Sequence, residues 1–259
     1  MRLNSLVVAG ILALLVGRIS RAEGTSAPES APPAPPPPNY FPDSHAIARG
    51  MRDYNRYCIW CHGEYGDGRG PSRKHLDPQP RDFTGGTIKC RTTPSGTLPT
   101  DADLRHSITF GFHGTGMPSW GTLSSFQLDD LVAAIKSFSP RWTTEGVPPP
   151  IVVPPEPPTT PDSVKRGKEV FAKMQCAQCH GERGHGDGPA AETIKDDWGA
   201  TLRVANFTKP KALKCGDSSA RIYTTFMTGI NGTPMPSFAQ SINTAEAWDL
   251  VHFVMSLRR

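Results

Sequence analysis

Apolar positions recur with helical spacing in six stretches of the chain, and the six form two matching sets of three. In residues 44–57, Ala46, Gly50 and Tyr54 stand four apart on one face, and in residues 163–175 Gly167 and Phe171 take the same places. Such spacing predicts a helix with one inward face, on which the small glycine lets a second helix cross closely and the aromatic packs beside it. Residues 103–110 and 220–228 read as short helices that stop at Gly111 and Gly229. Residues 126–138 and 244–257 are amphipathic and share one buried face: Asp130, Leu131 and Val132 align with Asp249, Leu250 and Val251, Ile135 with Val254, and Phe138 with Leu257.

Two proline-rich stretches break this pattern. Residues 27–42 centre on a run of prolines, and residues 146–161 contain Pro148-Pro149-Pro150, Pro154-Pro155 and Pro157-Pro158. Neither can pack a core; the first reads as a stiff extension and the second as a boundary between domains. The chain of 259 residues therefore divides into a signal (1–22), a Pro-rich extension (23–42), a first domain (43–141), a Pro-rich linker (142–161) and a second domain (162–259). The fold class expected is all-α, two tandem domains joined by the linker.

The signal rests on Arg2, an apolar run over residues 6–17 and a small-x-small site at Ser20-Arg21-Ala22. The run is shorter than the roughly 20 residues of a membrane span, and Arg18 interrupts it, which argues against an uncleaved anchor. Cleavage after Ala22 removes three basic residues and no acid, leaving 25 basic against 24 acidic side chains, a net charge of +1. The basic balance of the precursor is thus a targeting feature, and no nucleic-acid partner is indicated. The destination is periplasmic or otherwise extracytoplasmic.

Each domain opens its chemistry with one five-residue motif, Cys58-Ile59-Trp60-Cys61-His62 and Cys176-Ala177-Gln178-Cys179-His180. Two thiols three apart followed at once by an imidazole are the pattern of covalent haem c attachment: each Cys meets one vinyl group and the His rises beneath the iron. Export fits, because that attachment takes place outside the cytoplasm. The glycine-rich loops that follow, 63–68 and 181–188, lack the strand-turn-helix context of a phosphate cradle. Downstream, Met117 and Met235 each precede a proline, and each lies 55 residues after its His, although the register between the repeats slips by six or seven residues in between. A methionine is ordinarily a core filler. Here the restored interval and the rigid Met-Pro turn make Met117 and Met235 the sixth ligands, opposite His62 and His180. His113 could compete for the first iron, but its counterpart is Asn231, and a solvated loop histidine is the plainer reading. His45, His75, His106, His185 and His252 show no recurrent spacing.

With CxxCH, the GxxxY or GxxxF helix before it and the Met-Pro turn after it, each half resembles a class I c-type cytochrome domain. The whole is similar to tandem two-haem cytochromes c that feed terminal oxidases and reductases. The resemblance implies thioethers at Cys58, Cys61, Cys176 and Cys179, proximal His62 and His180, distal Met117 and Met235, and first and last helices that cross over each haem. It implies two covalently attached haem c groups and an electron carrier whose partners are redox proteins such as a quinol-oxidising complex, a terminal oxidase or a reductase; a tether to a membrane complex is compatible with the Pro-rich arm. One departure is local: four residues separate Tyr54 from Cys58, but five separate Phe171 from Cys176.

Cys90 and Cys215 stand outside the haem motif, each after a lysine. As the two remaining thiols of an exported protein they could form a disulfide between the domains, remain two separate buried residues, or supply a thiolate ligand to one iron. The last option belongs to the alternative function, a dihaem enzyme of peroxidase or thiosulfate-oxidising type with one non-Met-ligated haem.

Overall fold

The computed structural model describes residues 43–209, 211 and 213–258; the predicted signal and the N-terminal proline-rich extension lie outside them. In the first repeat, α1 (Ser44–Tyr57) starts where the Asp43 carboxylate accepts from the His45 amide, and it leads through Cys58 into the single turn α2 (Ile59–His62). Then come α3 (Asp101–Phe110), α4 (Ser125–Ser137) and the turn α5 (Arg141–Thr144). The second repeat runs α6 (Pro161–Lys173), α7 (Ala177–His180), α8 (Ser219–Thr228) and α9 (Thr244–Ser256). Among the described residues the only β pairing is an isolated bridge between Lys195 and Thr201, and no helix is long and apolar enough to cross a membrane.

Helix starts extend beyond the apolar pattern because capping, not burial, sets them. Thr100 and Asp103 cap each other reciprocally and start α3 at Asp101; Thr160 and Ser163 do the same for α6, with Pro161 at its first position, where a missing N–H costs nothing. The last residue of the proline-rich linker is thus the first of a helix. At the linker's other end, Trp142 on α5 is 2 % exposed within the first core and Val147 packs against that core. The first core therefore reaches past residue 141, through an aromatic that no periodic neighbours announce.

In each repeat the first helix crosses the long helix after the methionine loop, α4 or α9, at the predicted glycine. A Cβ on Gly50 would overlap the Asp130 carbonyl of α4, and one on Gly167 would overlap the Asp249 carbonyl of α9. Each crossing carries a bidentate clamp from the residue just before the glycine: Arg49 to Asp130 and Arg166 to Asp249, at 2.7 and 2.8 Å in both.

The two repeats are joined. Cys90 and Cys215 form a disulfide with Cα atoms 5.1 Å apart, which settles the open choice for these thiols. Next to it Arg91 donates to the carbonyls of Thr228 (2.5 Å) and Gly229 (3.4 Å), which the end of α8 leaves without helical partners. The register slip also gains a location. From His62 to Phe83 is 21 residues and from His180 to Phe207 is 27, and the longer second segment reaches the first repeat: Asp196 meets Lys89 at 3.5 Å, Arg203 meets Asp77 at 2.6 Å, and the Trp198 ring lies under the Arg81 guanidinium at 3.9 Å.

Candidate haem sites

The single-turn helices α2 and α7 bring each motif together on one wall. The Nδ1 of His62 lies 3.0 Å from the Arg81 carbonyl, and that of His180 lies 3.2 Å from the Ala205 carbonyl. A carbonyl only accepts, so Nδ1 carries the proton and Nε2 keeps its lone pair for a metal. Each ring stacks on a phenylalanine, His62 on Phe83 (centroids 4.5 Å apart) and His180 on Phe207 (4.3 Å). Burial holds both imidazoles below their ordinary pKa, so they stay neutral, as ligation requires. The extra residue of the second repeat is absorbed by Gln175, at φ 55°, which closes α6 with the Cys176 amide bonded back to the Phe171 carbonyl.

The methionine loops are built alike. Thr115 donates its hydroxyl to the Phe112 carbonyl and accepts from the Met117 amide, while Phe112 N–H donates to the Met117 carbonyl. Thr233, Ile230 and Met235 repeat this pattern bond for bond. Ser119 and Ser237 then tie each loop to the helix before it, through the carbonyls of Thr109 and Met227. Gly111 and Gly229, both at positive φ, allow the helix to end and the loop to pass so close that a Cβ would meet Pro118 or Pro236.

Cys58, Cys61, His62 and Met117 line one cavity, and Cys176, Cys179, His180 and Met235 line a second. The remaining walls are largely apolar, with Leu104, Ile108 and Trp120 in the first and Ile222, Phe226 and Phe238 in the second. The donor set fits a haem c. Neither CxxC pair is closed as a disulfide, although Cys90 and Cys215 are. Burial pushes the Cys58 thiol up to about 12 and the Cys176 thiol to about 11, a setting that suits an uncharged thioether sulfur better than a thiolate.

The other sequence candidates lie apart. His113 is exposed and lines a neighbouring cleft, not the cavity that His62 faces, whereas its counterpart Asn231 bonds to the Gly96 amide and the Thr97 carbonyl across the repeats. Cys90 is committed to the disulfide, so it offers no thiolate to iron. His252 is buried against the Ser163 hydroxyl at 2.9 Å, and His45, His75 and His185 are exposed. Sequence reasoning missed the Arg81 and Ala205 carbonyls that orient the histidines, because a backbone acceptor leaves no mark on residue type. It noted a lysine before each of Cys90 and Cys215 and gave it no role, yet both, Lys89 and Lys214, line both cavities.

Helical halves of this kind, each setting CxxCH against a pinned methionine across an apolar cavity, define a class of protein, and the chain belongs to it: it is a tandem dihaem class I c-type cytochrome, with covalently bound haem c serving electron transfer. Residues 164–258 match the cytochrome c family, and residues 45–135 match the family described as cytochrome C oxidase, cbb3-type, subunit III. Among solved structures, a chain of the Kuenenia stuttgartiensis reducing HAO-like protein complex is similar at 40% identity and a TM-score of 0.79, over 82% of this chain and 96% of that one. No curated protein matches.

Proposed function

We propose that the chain is an exported carrier of single electrons that holds two haem c groups, one on Cys58, Cys61, His62 and Met117 and the other on Cys176, Cys179, His180 and Met235, and that it passes electrons between respiratory redox proteins. The observation that carries this reading is the duplicated methionine loop. A thioether held by the same hydrogen bonds in both repeats, in the cavity that its histidine faces, is suited to occupying the sixth position of an iron and leaving no room for a substrate. Haem between His and Met supplies one-electron exchange at a potential above that of bis-His ligation. The protein's part is to fix the ligands: the Arg81 and Ala205 carbonyls set the imidazole tautomer, Phe83 and Phe207 hold the ring planes, and Thr115 and Thr233 hold the methionines.

The partners in this proposal are other redox proteins, such as a quinol-oxidising complex, a terminal oxidase or a reductase, met outside the cytoplasm. Likeness to one chain of a multi-protein complex supports a role as an electron-transfer subunit. Absorption and magnetic circular dichroism spectra of the purified holoprotein test the ligation. Two near-infrared Met-to-ferric-iron bands are expected; their absence at one haem would replace the carrier with the dihaem enzyme.

A further inference from the structure

The seam between the two cavities is rich in cations that the ligand set does not use. Lys89 and Lys214 are the residues immediately before the disulfide cysteines, so the cross-link straps their backbones side by side. Each lines not only the cavity of its own repeat but also that of the other, and Arg81 lines the first cavity beside them.

Their protein partners satisfy them only in part. The Lys89 side chain is 11 % exposed and has one ion pair, with Asp196 at 3.5 Å, longer than a close charge-assisted hydrogen bond. Lys214 is half-buried and has no hydrogen bond or ion pair among the described residues, and Arg81 has the Trp198 ring but no carboxylate within ion-pair distance. Of the neighbouring acids, Asp77 holds Arg203, Asp82 accepts from the Thr84 amide and hydroxyl, and Asp196, the one acid that faces this cluster, also accepts from the Trp198 and Ala200 amides. Burial, together with mutual repulsion among Arg81, Lys89 and Lys214, draws Lys89 down to about 8, and burial lowers Lys214 as well. Cations in such a place require anions, because an uncompensated buried charge is costly. A haem brings two propionate carboxylates into each cavity.

We propose that Lys89 and Lys214 form one carboxylate-binding site, strapped by the Cys90–Cys215 disulfide, that takes propionates from both haems, so that each repeat supplies a lysine to the other's cofactor. This rests on the reading that each cavity holds a haem. The consequence is electrostatic. A cation at the seam opposes the extra positive charge of ferric iron in both cavities, so it raises both potentials, and its loss lowers both.

Potentiometric titration of the holoprotein, fitted to two one-electron steps, separates the cases. Lys89→Gln is expected to lower the potentials of both haems, by up to about 59 mV each, the shift that corresponds to a tenfold change in oxidised-to-reduced ratio. Lys89→Arg, which keeps the charge, is expected to restore them. Lys214→Gln gives the same paired shift, so poor folding of one variant leaves the other to decide. If only the haem of the mutated repeat moves, or neither does, the shared site is wrong while the two-haem reading stands. A wild-type chain with fewer than two haems by pyridine haemochrome assay overturns both.

Discussion

A histidine whose Nδ1 donates to a backbone carbonyl has only Nε2 left to offer, and at His62 and His180 the carbonyls of Arg81 and Ala205 impose that choice before any metal arrives. The methionines opposite are held as firmly, through Thr115 and Thr233. In the ligation proposed above, ligand identity sets the potential with little rearrangement. Met117→His is expected to remove one of the two near-infrared Met–iron bands and to lower the potential of the first haem, leaving the second ligand set unchanged; redox titration of the variant checks this. At this scale the sequence was most legible where side-chain chemistry repeats, in CxxCH and in the Met-Pro turn at a fixed interval of 55 residues. It was silent on the orienting carbonyls and on the threonines, whose role depends on loop geometry that residue type does not encode.

Between elements, the decisive contacts are the two glycine crossings. Spacing alone placed Gly50 and Gly167 on the inward faces of α1 and α6, and the carbonyls of Asp130 and Asp249 occupy the space that a side chain would need. Gly50→Val forces the helices apart and is expected to cost about 1–3 kcal/mol, as overpacking does, read as a lower urea midpoint. The Arg49–Asp130 clamp will not prevent that loss, because its arginine is half exposed. An unshifted midpoint would mean that α1 and α4 can separate freely. What periodicity could not give was the extent of each element: α3 and α6 start at their caps, and α5 is fixed by a single buried tryptophan.

Across the molecule, the register slip had marked a longer segment in the second repeat without revealing its use, because Asp196, Trp198 and Arg203 find their partners more than a hundred residues earlier in the chain. The cross-link was legible only as one option among several, since two cysteines outside a motif do not announce their pairing. Replacing both, Cys90→Ser with Cys215→Ser, is expected to cost up to about 5 kcal/mol, the entropy of closing a loop of this length. Because each repeat has its own core, thermal unfolding should then separate into two transitions; a single unchanged transition would show that the strap adds nothing. The strap also has a bearing on maturation. Along the chain the cysteines run 58, 61, 90, 176, 179, 215, so as the polypeptide emerges Cys90 encounters four other thiols before its true partner has been made. In the proposed export compartment, thioether formation at Cys58, Cys61, Cys176 and Cys179 would withdraw all four competitors, so that cofactor loading would leave Cys90 and Cys215 as the pair that locks the two halves together.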